Sequence, residues 1–248
     1  MNIIFITNAL ILLIDRGFVE ENNKEWLVSL EISNGNINQI LTYTNSTDNN
    51  FLEKIFQFVD PKSPFQGIMG SYILVNHILN KYPSNFEVFM DRVFYELDKK
   101  DFCTDTINDC LEIQQAESSH FNEIAKMMED FNFIEWKGKN KKQYSDYFAQ
   151  VSKSNENIGI IKKYSNNEIV GYYTFIDKDM IGTIYIKEEH RDKKFGQIVL
   201  SKMTKMLLSN SSKVKVMTTK ENEPMKTILK KVGYKEHCKH LEIYKLKS

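Results

Sequence analysis

The chain holds 248 residues, of which 42% are hydrophobic, 12% aromatic and 27% charged, so it can build a real core in one large domain or two ordinary ones and is not a disordered chain. Lys+Arg and Asp+Glu each number 33, which excludes a global basic field of the kind that recruits nucleic acid or an anionic membrane; neither is expected as a partner. Only 4 prolines and 10 glycines argue against a turn-dense all-β sandwich, and three scattered cysteines, Cys103, Cys110 and Cys238, do not make a secreted disulfide framework, so a cytoplasmic location is expected.

In chain order, the first apolar run is "IIFITNALILLI". It has no basic residue before it and is too short to span a bilayer, so it reads as a buried strand or short helix. "EWLVSLEI" and "INQILTYT" are β-favouring runs separated by "SNGN", a hairpin pattern. "TNSTDNN" is a polar loop, "FLEKIFQF" a short helical pattern, and residues 67 to 80, "GIMGSYILVNHILN", read as one mostly apolar helix. "FEVFMDRVFYEL" fits both the helical and the strand period, and pattern alone does not separate them. Residues 98 to 110, "DKKDFCTDTINDC", are polar and aperiodic and form the expected linker. The expected domains are therefore 1–105, a smaller α/β domain, and 106–248.

Beyond the linker the order is cleaner. "CLEIQQA" is a strand, "ESSHFNEIAKMMEDF" a helix, and "QYSDYFAQVSKS" a second helix carrying Tyr144, Tyr147 and Phe148. Three strands follow, "IGIIKKY", "IVGYYTFI" and "MIGTIYI", the first two joined by the turn "SNNE". A helix with Val199, Met203, Met206 and Leu207, the strand "KVKVMTT", the helix "EPMKTILKKV" capped by Gly233, and the strand "LEIYKL" complete the chain. The fold class is α/β (α+β): one mixed sheet flanked by helices in the second half, preceded by the smaller domain. "HCKH" is a weak metal pattern, because on a strand Cys238 and His240 share a face while His237 points away; no metal is expected.

The segment "IYIKEEHRDKKFGQIVL" resembles the acyl-CoA-binding motif of the GNAT superfamily of N-acetyltransferases: an apolar strand, Arg or Gln, a Gly-x-Gly-x-Gly/Ala loop, then a helix. Ile186 matches the last apolar strand position and Arg191 the basic one. Asp192 and Lys194 fall where the first two glycines stand, and Gly196 on the third. "NEPMKTILKKVGY" is similar to the family's Asn-x-x-Ala helix ending in Gly-Phe, with Asn222, Met225, Gly233 and Tyr234 in the matching places. The resemblance covers residues 110 to 248. It implies a cofactor-binding set of Ile184, Tyr185, Ile186, Arg191, Asp192, Lys193, Lys194, Phe195, Gly196, Gln197 and Asn222, with acetyl-CoA as co-substrate.

The physics of such a loop is plain. A helix N-terminus offers unpaired N–H groups and about half a positive charge to a pyrophosphate, and glycines let the backbone approach at positive φ. Asp192 visits the left-handed region more readily than most residues; Lys194 does not.

The resemblance implies direct attack of an amine on the thioester, with strand backbone groups polarising its carbonyl. A strand carboxylate common in the family as base is missing from Met180 to Ile186, and Leu229 stands where a Tyr acid is usual. Tyr185, Glu188 and Tyr234 are the weak catalytic candidates. The implied activity is N-acetyl transfer to a small-molecule or peptide amine. The alternatives are a catalytically weak or inactive acyl-CoA-binding module, and a tandem protein whose first half is a degenerate copy shaping the acceptor side. The acceptor and the oligomeric state are not legible.

Overall fold

The computed structural model describes residues 13–22, 24–33, 38–103, 110–135 and 157–246. Tyr144, Tyr147 and Phe148, the "SNGN" turn and most of the N-terminal apolar run therefore lie outside the described residues. The chain divides into two compact units: Met1–Phe94 with Thr218–Glu221 and His237–Ser248, and Tyr95–Met217 with Asn222–Glu236. This differs from the expected break at 105/106. The linker belongs to the second unit, and the end of the chain returns to the first.

In the first unit, β1 (Leu13–Glu21), β2 (Trp26–Ser33) and β3 (Asn38–Thr44) form an antiparallel meander. The β2–β3 hairpin matches the sequence pattern; β1 was not foreseen there. A four-residue helix, α1 (Asn49–Leu52), and a 3₁₀ turn lead to β4 (Gly67–Ser71), parallel to β3. Helix α2 (Tyr72–Lys81) and β5 (Phe86–Asp98) follow. The expected single helix over 67–80 is thus a strand followed by a helix. The strand is glycine-bearing because its neighbours crowd it: a Cβ on Gly70 would lie 1.6 Å from the Thr42 carbonyl oxygen. Such spacing weakens the strand signal in sequence. Leu27, Ile40, Ile68, Leu241 and Ile243 of the sheet bury against Phe51, Leu74 and Ile78 of the helices. Two of those residues come from β11 (Lys235–Lys245), which pairs antiparallel with β4 from His240↔Ser71 to Tyr244↔Gly67. The unit's strand order is β1-β2-β3-β4-β11-β5.

The second unit repeats this plan. β7 (Ile158–Lys163), β8 (Ile169–Asp177) and β9 (Met180–Ile186) form an antiparallel meander edged by β6 (Leu111–Gln115). Helix α4 (Phe195–Leu208) crosses to β10 (Lys213–Thr219), parallel to β9, and α5 (Glu223–Val232) leads to the last strand. The end of β5 lies along β10, where Lys99 N donates to Ser212 O at 2.9 Å and Lys213 Nζ reaches Glu96 at 2.5 Å. Helix α3 (Phe121–Glu135) covers Ile160, Tyr172 and Tyr185 with Ile124 and Met127. Meander, helix, parallel strand, helix, strand occurs twice in the chain, although no repeat is visible in the residues. Each copy's last strand ends in the other's unit.

Candidate functional site

The site is built where β9 and β10 part. Their parallel pairing is confined to Lys215↔Met180 and Val216↔Ile181, while β9 stays on β8 as far as Gly171↔Ile186. A bulge interrupts β9 just past the split, where Thr183 N donates to Thr174 Oγ1 at 2.7 Å instead of to a carbonyl. From Gly182 onward, one edge of β9 therefore has no ladder partner on β10. Edge N–H and C=O groups of this kind bind an extended ligand as a strand would.

At the end of that edge, a 3₁₀ turn at Glu188–His190 delivers the chain to α4. Asp192 and Lys194 both stand at φ 61, the left-handed region, at the two positions where the resemblance placed glycines. Lys194 is the N-cap of α4, and no side chain caps that helix. The first-turn N–H groups and the positive end of the dipole face outward, the condition for anion binding. Gly196 has neither positive φ nor crowding, since a Cβ there would meet only Ile228 Cδ1 at 3.4 Å.

The basic side chains are less available than their number suggests. Arg191 Nε donates to Ile186 O at 3.1 Å, and its guanidinium lies 5.7 Å from the centre of the Tyr185 ring. Lys193 Nζ donates to Glu189 O at 3.0 Å. Both fold back on the loop's own carbonyls. Phe195 and Gln197 are buried at the start of α4, and Ile184 and Ile186 are half-buried.

His190 fixes the loop from below and was not foreseen as a functional residue. Its ring is buried, Nε2 lies 3.0 Å from Glu168 Oε1, and it stacks on Phe195 with centroids 6.4 Å apart. Glu168 is held down to about 2, chiefly by its bond from Lys163 and then by Asn166, so it meets His190 as a carboxylate. No local sequence signal pairs a histidine with an acid two strands back.

The remaining expected residues sort differently. Asn222 caps α5, its Oδ1 accepting from Met225 N at 3.1 Å, which gives it a structural role. Tyr234 is buried just past the end of α5. Its hydroxyl sits in a buried pair with Thr204 at 2.7 Å, and burial pushes its pKa up. Tyr185 stacks on Tyr172 at 5.6 Å in the core beneath α3; burial, then Asp130, raises its pKa. Glu188 is exposed. Leu229, in the place of the family's acid, is fully buried. Among the described residues no cluster of His, Cys, Asp and Glu could hold a metal. Within "HCKH", Cys238 is exposed but His240 is buried.

The equivalent seam in the first unit is closed. β3 and β4 pair from Gln39↔Gly67 through Thr42↔Gly70, to the near-contact at Gly70. The N-terminus of α1 is already occupied by the Asp48 carboxylate, which accepts from Asn50 N at 2.7 Å and Phe51 N at 3.1 Å. An anion has no entry there.

The strand, the left-handed loop and the uncapped helix stand in the order that the motif resemblance gave; the parting of β9 from β10 is new with the structure. Residues 157–243 match the FR47-like protein family. The fold is that of the GNAT superfamily. A GCN5-related N-acetyltransferase from Sphaerobacter thermophilus superposes with TM-score 0.56 at 8% identity, over 90% of this chain and 77% of that one. A tandem GNAT protein from the clavulanic acid biosynthesis pathway gives 0.54 at 7% identity, over 94% and 84%. A Drosophila protein gives 0.61 at 11% identity, over 90% and 79%. No curated protein matches the chain in sequence. No helix among the described residues is long and apolar enough to cross a membrane.

Proposed function

We propose that the protein is an N-acetyltransferase that takes acetyl-CoA in the second unit and acylates an amine by direct attack. The observation that carries this reading is the parted edge of β9 leading into the uncapped N-terminus of α4. The residues fit the cofactor in two respects. The β9 edge has backbone donors and acceptors for a pantetheine arm, and loop 191–197 has helix N–H groups for a pyrophosphate. Its co-substrate supplies an activated acyl group. The chain holds the thioester carbonyl with β9 backbone N–H and orients the amine. The new C–N bond forms as C–S breaks; the amine proton leaves to water, and the thiol, with an ordinary pKa near 8.5, departs as thiolate.

The first unit is a degenerate copy that serves the acceptor side, which its closed seam and Asp48 cap support. Arg191, Lys193 and Lys194 act on the phosphates mainly through the loop backbone. The missing acid at Leu229 and the buried Tyr234 hydroxyl support a second reading, an acyl-CoA-binding module without turnover. Calorimetry with CoA on the wild type and on Gly196→Glu tests the cofactor site; equal binding by both proteins overturns it. Thiol release from acetyl-CoA with an amine panel then separates enzyme from module.

A further inference from the structure

In the first unit, residues that alternate with the core positions of β4, β11 and β5 face away from α1 and α2. They carry an unusual concentration of polar groups. His240 is 8% exposed and lies between the rings of Phe94, 5.9 Å away, and Tyr43, 6.2 Å away. The Tyr43 hydroxyl is 3.5 Å from His240 Nε2. Burial raises the Tyr43 pKa, and burial with Arg92 holds His240 down to about 4, so a protonated hydroxyl meets a neutral ring. His240 Nδ1 is buried without a hydrogen-bond partner, and it carries the proton in the tautomer whose Nε2 accepts from Tyr43. Ser71, paired with His240 across β4 and β11, has a buried Oγ that also lacks one. It stands at the N-terminus of α2, a ten-residue helix whose first turn no side chain caps.

In the next cross-strand row, the Arg92 guanidinium lies 3.8 Å from Glu242 Oε2, and its other contact is the Met90 sulfur at 3.1 Å. Among the described residues it has no oxygen acceptor at bonding distance. Glu242 is 6% exposed. A buried polar group without a partner is destabilising and rare in native proteins, and here two, Ser71 Oγ and His240 Nδ1, lie in one cross-strand row beside the half-buried Arg92. A bare anion would satisfy the donors and be repelled by Glu242. A molecule with both signs would meet the three donors with its anion and place its cation at Glu242, whose carboxyl already accepts from Tyr244.

We infer that this face of the first unit binds a small α-amino acid. Arg92, His240 Nδ1–H and Ser71 Oγ–H receive its carboxylate, with the α2 dipole behind them. Glu242 faces its ammonium, and the Tyr43 and Phe94 rings form the wall. Arg92, with one-fifth of its side chain exposed, is the point of entry.

Calorimetry on the full chain tests the site with glycine, L-phenylalanine, acetate and methylamine. Saturable binding of either amino acid is expected, with acetate and methylamine at least tenfold weaker, because each lacks one charge. Arg92→Gln and His240→Phe should weaken amino-acid binding at least tenfold and leave CoA binding unchanged. Should Arg92→Gln leave Glu242 stranded and fail to fold, the neutral double variant Arg92→Gln/Glu242→Gln gives the same readout. Absence of binding by both amino acids, or variants that bind them like the wild type, overturns the inference. Wild-type protein that binds amino acids but no CoA sinks the acyltransferase reading and leaves this site standing.

Discussion

Lys194 stands at φ 61, ψ 11, a conformation in which an L side chain crowds its own carbonyl. The penalty is roughly 1–2 kcal/mol for a residue with a Cβ. At an ordinary exposed position, glycine is instead the worse choice by about 0.5–1 kcal/mol, because its unfolded chain is more flexible. The difference predicts that Lys194→Gly is more stable than Lys194→Ala by about 0.5–1 kcal/mol, the reverse of the usual order. For a chain of this size that is a shift of a few degrees in Tm, with about 2–4 °C for each kcal/mol. Urea unfolding followed by circular dichroism measures it, with both variants lacking the ammonium so that charge cancels. CoA calorimetry on Lys194→Gln, which keeps the backbone angle and removes the charge, isolates the electrostatic part. Should Lys194→Ala prove as stable as Lys194→Gly, the left-handed cap is not strained and the substituted-glycine account of the loop fails.

Three further outcomes are expected. Gly70→Ala places a methyl 1.6 Å from the Thr42 carbonyl and should destabilise the first unit by more than about 3 kcal/mol, whereas Gly196→Ala, with 3.4 Å to its nearest neighbour, should be near neutral; similar unfolding midpoints would refute both. His240 is held down to about 4 by burial and then Arg92, so the unfolded chain, titrating near 6.5, takes the proton first. Its contribution is complete above about pH 6.5 and lost as pH falls toward 4, about 3 kcal/mol at most, and His240→Phe should flatten that slope in denaturant midpoints. A fragment of 106–248 should not fold as a cofactor-binding unit. It lacks Tyr95–Asp98, which belong to the second unit, and it leaves Leu241 and Ile243 of β11 exposed, at about 1.5–3 kcal/mol each; a soluble fragment with wild-type CoA affinity would overturn this.

The second half was legible because each element there obeys one period. The three meander strands, α4 and α5 fall close to where alternation and helical spacing place them. The turn at 190–197 was legible for a different reason: its place between strand and helix put glycine positions at 192 and 194, and Asp192 and Lys194 do take glycine-like angles. What stayed hidden depends on neighbours distant in the chain. β4 reads as part of a helix until β3 and β11 are known to press on both its edges. Tyr234 looks exposed in sequence, and only the packing of Thr204 against it shows that its hydroxyl is buried. His190 and Arg92 carry no local mark at all, since their partners are 22 and 150 residues away.

The placement of β11 also governs how the protein is made. A ribosome finishes β4 long before it reaches Lys235, so the β4 edge that β11 will cover emerges bare and stays bare through most of synthesis. Such an edge, flanked by Ile68 and Met69, invites pairing with another nascent chain. Gly67 and Gly70 make it a poor template for that error, because glycines lose more chain freedom on pairing and offer an incoming strand no side chain to pack against.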